Sequence, residues 1–458
     1  MLMLNQDSPN KFLRLICSPT SSLYSKQERH KSAVYLESSY IWKKLVPAIS
    51  TGAKNHVLSR AVAATQRALK YSPNPTPQQL VVETLLDSHY RRQRNKGLDR
   101  NAIAKIVDAA YSEKKQLNLV GLMFTRKNIC PLKRQGNCES QVDLAEIASL
   151  IHLNSFASLI NKFYPWGVRY YILSEGKRYA RTFDYTEAMA EEYQRNLQKV
   201  IDELDLGHIS LIDYEDFLTD KLSAAELAKR RANYNVALKL YQERMLSIFN
   251  PDDFENSLRR AVELDPKDDP GNLEKNFVPV FRSILNSLPY PKLKAYADLQ
   301  NSEYDQTYLE AFRLLFTPYK QASLKKLAKY ILQKAWLATI EHNAQELADS
   351  MSAIKVENLI GNHTFRTTIN PKSGSQLGIY TMKETTSRIQ PWHGSCLLEV
   401  DGLGRLTPTI LSKLELESKL YIPIYYKSDK LVPLCYGTKE AVSVLTTTAE
   451  PSFNMSTR

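Results

Sequence analysis

The spacing of apolar residues changes its period along the first third of the chain. Apolar positions recur at helical intervals over about 54–71, 77–93 and 100–115, with prolines and a glycine between these stretches. The continuous apolar run Leu117–Phe124 follows, which is typical of a buried strand, and a long polar loop comes after it. The pattern therefore predicts three helices, a strand and a loop.

An alternation of helices and strands comes next. Asp143 opens a stretch with helical spacing, and Val168–Leu173 is a second apolar run. A helical pattern over about 186–204 leads to a third short strand, Ile209–Ile212. Short connections in this order predict an α/β fold, a Rossmann-like doubly wound parallel sheet. Ligands bind beyond the carboxyl ends of the strands in such sheets, so we expect a site there.

The patterns divide the chain into five regions. We expect an irregular leader (1–50), a helical lead-in with the Rossmann-like α/β domain (51–220), a helical insertion (221–355), a C-terminal β-rich part that completes the site (356–445) and a loose tail (446–458). Glycine-containing turns separate several strand patterns after residue 356, which predicts a mostly antiparallel segment. These strand patterns are Phe365–Ile369, Leu377–Thr381, Cys396–Val400, Leu420–Tyr426 and Leu431–Tyr436.

Composition places the chain among globular proteins. Its 458 residues are 43% hydrophobic and 24% charged, and no stretch approaches the roughly 20 apolar residues of a membrane span. Five cysteines form no zinc-binding pattern and suit a reducing compartment, so we expect a cytoplasmic protein with no metal and no membrane partner. Cys396 follows His393 closely, but a small buried hydrophobe is the favoured interpretation.

The net charge of +12 has two interpretations. Its basic runs fall on the ends and polar faces of predicted helices, where charged side chains ordinarily just face solvent. No nucleic-acid-binding motif accompanies them, so no nucleic acid partner is expected. Positive potential also concentrates anionic metabolites.

Candidate chemistry follows two predicted strands. The loop after Leu117–Phe124 is poor in acidic residues and carries Lys127, Asn128 and Lys133, which suit a phosphate or carboxylate. The turn Ser174-Glu175-Gly176 ends the second strand. Both lie where a parallel sheet binds ligands.

A pair of acids opens the helix after that loop. Asp143 and Glu146 are three residues apart, which is the spacing of a helix cap with its partner and also of an acid pair in a site. The sequence leaves both interpretations open.

A second polar cluster lies almost two hundred residues further on. Arg366 stands in a strand pattern of apolar and threonine residues, where an inward arginine needs an anionic partner. Asn370 and Lys372 follow it, and His393 comes after Pro-Trp and before a glycine. An imidazole there can exchange protons near neutral pH.

The order and spacing of these motifs resemble the pyoverdine/dityrosine biosynthesis family, which includes the isonitrile synthases. The likeness covers roughly 117–215 and 364–402. This chain departs from the family pattern twice: Glu175 stands where the family usually has aspartate, and Asn370 stands where it has histidine.

The resemblance implies an isonitrile synthase of secondary-metabolite biosynthesis. Such an enzyme joins the amine of an amino acid, with aromatic ones favoured, to C2 of ribulose 5-phosphate, and needs no cofactor. It implies catalytic roles for Glu146, Glu175 and His393, the two acids facing the substrate ammonium. The substrate-binding residues that it implies are Lys127, Asn128, Lys133, Asp143, Ser174, Arg366, Asn370 and Lys372.

Three alternatives stay open. Related fungal proteins imply an N-formyl amino acid as the product. The two departures from the family pattern leave that product open. A basic nucleic-acid-binding protein and a non-catalytic metabolite-binding member of the family are the others. An iron- and oxoglutarate-dependent oxygenase would be the expected next enzyme of an isonitrile pathway.

Overall fold

The computed structural model describes most of the chain outside one long internal stretch. The described residues are 33–92, 97–124, 142–180, 186–248, 322–369, 371, 374–382, 390–392, 394–411, 421–427 and 433–448. They contain two five-stranded sheets with helices packed around them.

The strands and helices follow in chain order. The strands are β1 Val34–Leu36, β2 Leu117–Met123, β3 Val168–Ser174, β4 Ile209–Asp213, β5 Thr364–Thr368, β6 Gln376–Gly378, β7 Ser395–Val400, β8 Leu406–Leu411, β9 Ile422–Tyr426 and β10 Cys435–Gly437. The helices are α1 Val46–Leu69, α2 Pro77–Leu85, α3 Arg100–Ser112, α4 Leu144–Asn161, α5 Glu187–Glu203, α6 Tyr214–Lys221, α7 Ala224–Ile248, α8 Ala322–Met351, α9 Val356–Ile360 and α10 Lys439–Thr448. Short helical turns at Ser38–Tyr40, Ile41–Leu45 and Lys177–Tyr179 complete the set.

Two of the predicted helices begin at side chains that cap them. Thr76 and Gln79 form a capping box ahead of α2, and the side chain of Asp99 accepts a hydrogen bond from Ala102 N at 2.8 Å at the start of α3. The second helix ends at Leu85, well before the predicted residue 93, because the Asp87 carboxylate accepts from His89 N and turns the chain.

The first sheet confirms the predicted parallel α/β architecture. Its strand order is β4-β3-β2-β5-β6, and every neighbouring pair is parallel. The apolar run of β2 is buried on both faces, and β3 is buried on one face and partly buried on the other, as suits parallel strands.

Two of the strands predicted for a terminal antiparallel segment belong to the first sheet instead. β5 pairs with β2, and the hydroxyl of Thr367 donates to Val120 O at 2.9 Å. A Cβ added at Gly121 would lie 2.9 Å from Thr367 Oγ1, so glycine allows this close approach. β6 then extends the sheet beyond β5.

The second sheet is mixed rather than mostly antiparallel. Its order is β1-β9-β10-β7-β8, with β1 and β9 parallel, β7 and β10 parallel, and the other two pairs antiparallel. β1 comes from the region predicted to be an irregular leader with one short apolar element.

α4 lies between the two sheets. It packs against β3 of the first sheet and against β7 and β8 of the second. Fifteen of its eighteen residues are buried, which explains why its sequence is apolar all round.

The opposite face of the first sheet carries the helical region. α6 and α9 pack there through Tyr214, Phe217 and Val356 against Val120 and Leu173. α7 and α8 pack along each other, and Arg230 of α7 joins them to α6 through Glu215. No helix in the described ranges combines the length and apolarity that crossing a membrane demands.

Candidate functional site

The carboxyl ends of three parallel strands form one row. Ser174 pairs with Met123 on one side and with Asp213 on the other, so β2, β3 and β4 end together. The Ser174 hydroxyl donates to Phe124 O at 3.3 Å. Phe124 has a left-handed φ of 56°, which turns the chain sharply as it leaves the sheet. This row is where ligands bind in α/β sheets.

The second polar stretch of the sequence reaches the same edge. The buried ring of Trp392 lies 4.9 Å from the ring of Phe124, centre to centre. Behind it, Thr381 donates to Gln390 Oε1 at 2.9 Å, and Ser149 of α4 donates to Thr381 O at 2.7 Å. The chain just before the predicted His393 is therefore fixed beside the end of β2.

Arg366 lies in the strand next to β2. It pairs in register with Val120, which faces the side of the sheet covered by α6 and α9. Its Nη1 is buried and has no hydrogen-bond partner among the residues that the structure describes. A buried guanidinium nitrogen without a partner is costly and suits an anion brought by a ligand.

Glu175 is held by a cation that the sequence did not single out. Arg178 Nη1 donates to Glu175 Oε1 at 3.1 Å, and the Arg178 side chain is only 2% exposed. Its Nε and Nη2 are buried without hydrogen bonds within the described part of the chain. Nη2 lies 3.9 Å from Asp349 Oδ2. Burial opposes the charge on Arg178, but neighbouring Tyr179 and Glu175 raise its pKa, so it stays charged.

α8 supplies a polar wall beside this arginine. Tyr214 donates to Asp349 Oδ2 at 2.7 Å, and Arg230 donates to Asp349 Oδ1 at 2.6 Å. Tyr179 and His342 are joined by a hydrogen bond of 2.9 Å. The helical insertion, in which no motif was recognised, thus contacts the turn that follows β3.

Asp213 is the buried acid of the row. Its side chain accepts from Glu215 N at 2.9 Å and from Lys177 N at 3.4 Å. Burial raises its pKa from 3.8 to about 6, although both backbone donors act in the other direction. Lys177 itself points to Asp216 and Glu191, which raise its pKa.

Asp143 and Glu146 form the capping box that opens α4. Asp143 Oδ1 accepts from Ala145 N at 2.9 Å, and Glu146 Oε2 accepts from Asp143 N at 2.9 Å. The buried Tyr193 hydroxyl donates to the other oxygen of Glu146. Both oxygens of Glu146 are engaged within the fold, which confirms the cap, while its catalytic assignment stays a prediction.

Several predicted site residues lie outside the described residues. They are Lys127, Asn128, Lys133, Asn370, Lys372 and His393. Their roles, and those of Ser174, Glu175 and Arg366, stay predictions. In the described ranges no three side chains of His, Cys, Asp and Glu are grouped so that they could hold a metal ion.

Two comparisons found similar proteins. The structure is similar to that of the PvcA protein from Pseudomonas aeruginosa, at 19% identity and a TM-score of 0.49, covering 79% of this chain and 99% of that one. No curated protein sequence matches the chain. Residues 107–270 match the model of a family described as pyoverdine/dityrosine biosynthesis protein, which confirms the resemblance.

Proposed function

We propose that the protein is an isonitrile synthase-like enzyme that acts on an amino acid, with aromatic ones favoured, and ribulose 5-phosphate. The amine attacks C2 of the sugar phosphate, and that carbon stays on nitrogen while the rest of the sugar is lost. This chemistry requires an anion clamp, a group for the ammonium and repeated proton transfers.

The observation that carries the proposal is one buried guanidinium nitrogen of the half-buried Arg366. Its Nη1 lacks a partner among the described residues, on a strand beside β2 in the sheet whose carboxyl edge holds the row. A phosphate would relieve an unmet donor that costs about 1–3 kcal/mol, and the planar guanidinium fork fits its oxygens. Lys127 and Lys133 are proposed to add charge to the same clamp, and Asn128, Asn370 and Lys372 to complete it.

Glu175 is proposed to hold the substrate ammonium. Its side chain is 14% exposed at the end of β3, and Arg178 contacts Oε1. Oε2 has no hydrogen bond within the described ranges, which leaves an oxygen for the ammonium. Ser174 and Asp143 would border this position, and His393 would move protons.

A second product is supported by the two departures from the family pattern. Glu175 is longer than the usual aspartate, and Asn370 removes an imidazole that would otherwise titrate. An N-formyl amino acid shares the first carbon–nitrogen bond and requires fewer later proton transfers. Both products carry the same carbon.

The decisive experiment follows that carbon. The protein is incubated with ribulose 5-phosphate labelled with ¹³C at C2 and all twenty amino acids, and the products are analysed by mass spectrometry. We expect one amino acid to gain the label as an isonitrile, or as a formamide if the second candidate holds.

Arg366→Gln tests the clamp, and Arg169→Gln is its matched control. Arg169 lies half-buried in β3 of the same sheet, where it donates to Gly207 O at 2.6 Å. We expect the Arg366 variant to lose at least 100-fold in kcat/KM for the sugar phosphate, since roughly 2.7 kcal/mol of binding corresponds to that factor. No labelled product from the wild type, or equal activity of both variants, would contradict the proposal.

A further inference from the structure

Three side chains, joined by one hydrogen bond and one ion pair, connect the turn after β3 to α8. Tyr179 Oη and His342 Nδ1 are 2.9 Å apart, and His342 Nε2 lies 3.1 Å from Glu346 Oε1. A hydroxyl, an imidazole and a carboxylate in this order form the arrangement that many enzymes use to move a proton.

The contacts favour one tautomer of His342. The Glu346 carboxylate beside Nε2 favours a proton on that nitrogen, which leaves Nδ1 to accept from the Tyr179 hydroxyl. In this tautomer Nδ1 is the nitrogen that can receive a proton. Glu346 stabilises the cation that would result.

These three side chains lead from the interior to solvent. The Tyr179 residue is 8% exposed, the His342 side chain 26% and the Glu346 side chain 53%. Tyr179 lies in the short turn after Ser174-Glu175-Gly176, and the charge of Glu175 acts on its hydroxyl, which relates these side chains to the carboxyl edge where the substrate is proposed to bind.

The charges around Tyr179 keep its hydroxyl protonated at rest. Burial, Glu175, Glu346 and Glu341 raise the pKa of Tyr179 well above its ordinary value, and Arg178 opposes them. A free phenolate is therefore disfavoured, and Tyr179 transfers a proton only when its own moves on to His342.

We propose that Tyr179, His342 and Glu346 form a proton relay that serves the reaction at the carboxyl edge of the parallel sheet. The inference rests on the proposed function. A substrate proton passes to Tyr179 Oη as the tyrosine's own proton passes to His342 Nδ1, which gives an imidazolium beside Glu346. The reverse movement returns the proton, so Tyr179 is the catalytic residue and Glu346 positions the imidazole.

Kinetics of three variants test the relay. Tyr179→Phe and His342→Gln are expected to lower kcat by about 100-fold or more, because general acid–base groups contribute 10²–10⁴-fold, with KM changed less than threefold. Glu346→Gln should lower kcat less and displace the pH dependence of kcat. An unchanged kcat in Tyr179→Phe would overturn the relay.

Tyr234→Phe is the matched control. The Tyr234 hydroxyl, on α7, donates to both oxygens of Glu341 on α8 at 2.8 Å, so its loss also removes a tyrosine contact to α8. We expect kcat to be unchanged. Equal losses in the control and in Tyr179→Phe would show a structural effect and contradict the relay.

A spectroscopic test separates the relay from the reaction. In protein labelled with ¹⁵N-histidine, His342, assigned through His342→Gln, should show a protonated Nε2 and an unprotonated Nδ1. Its Nδ1 resonance should shift in Tyr179→Phe and stay in Tyr234→Phe. This pattern without any labelled product would refute the proposed reaction but support the Tyr179–His342 hydrogen bond. A protonated Nδ1 would overturn the relay itself.

Discussion

Two buried aspartates of this protein lie in opposite electrostatic surroundings. Asp87, after α2, is fully buried and accepts from Arg60 at 2.5 and 3.0 Å and from Arg67 at 2.7 Å. Asp213, at the end of β4, is 1% exposed and receives hydrogen bonds from two backbone amides. Burial acts to raise both pKa values, but the hydrogen bonds from Arg60, His89 N and Arg67 hold that of Asp87 below its ordinary value, while that of Asp213 rises to about 6.

The difference separates a structural ion cluster from the polar edge of the sheet. Around Asp87 the charges compensate one another and join α1 to α2, and Glu83 beside it binds Arg100 and Arg67. In the sheet and the turn after β3 the pairing is less complete: Arg178 has one hydrogen bond to Glu175 and a longer ion pair with Asp349, and Arg366 buries Nη1 without a partner in the described part of the chain. Charged groups of this kind are candidates for binding or catalysis.

The largest expected effect tests the first region. Asp87→Ala should lower the free energy of unfolding by roughly 3 kcal/mol, because it leaves two arginines without their buried partner. Urea denaturation measures the change. Asp401→Asn, in an exposed pair with Arg405, should show no measurable loss. If Asp87→Ala lowered the free energy of unfolding as little as this control, the contrast between the two buried aspartates would be contradicted.

The next effect concerns pH. Because the folded-state pKa of Asp213 is about 6 against 3.8 normally, its contribution to stability is present below about pH 4 and lost as pH rises through 6. The free energy of unfolding of the wild type should therefore fall by roughly 2–3 kcal/mol between pH 4 and 7, and that of Asp213→Asn should not.

Urea denaturation at intervals across that range measures the loss. The pKa of Asp87 is lowered, so its contribution is lost only as pH falls below about 4. The difference in the free energy of unfolding between the wild type and Asp87→Asn should therefore stay constant from pH 5 to 8. A constant difference for Asp213→Asn over pH 4 to 7 would contradict the assignment.

The smallest stability effect is expected at Arg178. Arg178→Met should change the free energy of unfolding by less than about 1 kcal/mol, because desolvation of this arginine offsets its hydrogen bond to Glu175 and its ion pair with Asp349. The same variant should raise KM for the amino acid, since Glu175 loses its partner. Denaturation and steady-state kinetics measure the two effects.

Arg230→Met is the counterpart of Arg178→Met. Arg230 donates to Asp349 and to both oxygens of Glu215, so its loss should cost roughly 2–4 kcal/mol. Equal destabilisation by both variants would show that Arg178 is a structural cation.

The sequence predicted those parts of the fold that depend on local pattern. The apolar runs of β2 and β3 and the cap at Asp143 are local signals, and each element lies where it was expected. The partner of β5 is not a local property, because Arg366 pairs with Val120 across almost 250 residues. A strand pattern predicts a strand but not its neighbour.

The candidate site shows the same limit. Arg366 was predicted from an arginine in a strand of apolar and threonine residues. Arg178 and Tyr179 sit in a short polar turn that looked ordinary, and only the docking of α8 brings His342 to them. The sequence of α8 carried no local signal for this contact, because the docking of distant elements is not a local property.

The pairing of β5 with β2 also sets an order of events during synthesis. A nascent chain that has left the ribosome as far as β4 can assemble three parallel strands, but the strand that carries Arg366 emerges about 150 residues later. β9, the partner of β1, emerges later still. Until then, the edge of β2 has unpaired backbone hydrogen-bonding groups. A chain truncated before β5 would have an incomplete sheet that is prone to pair with other chains.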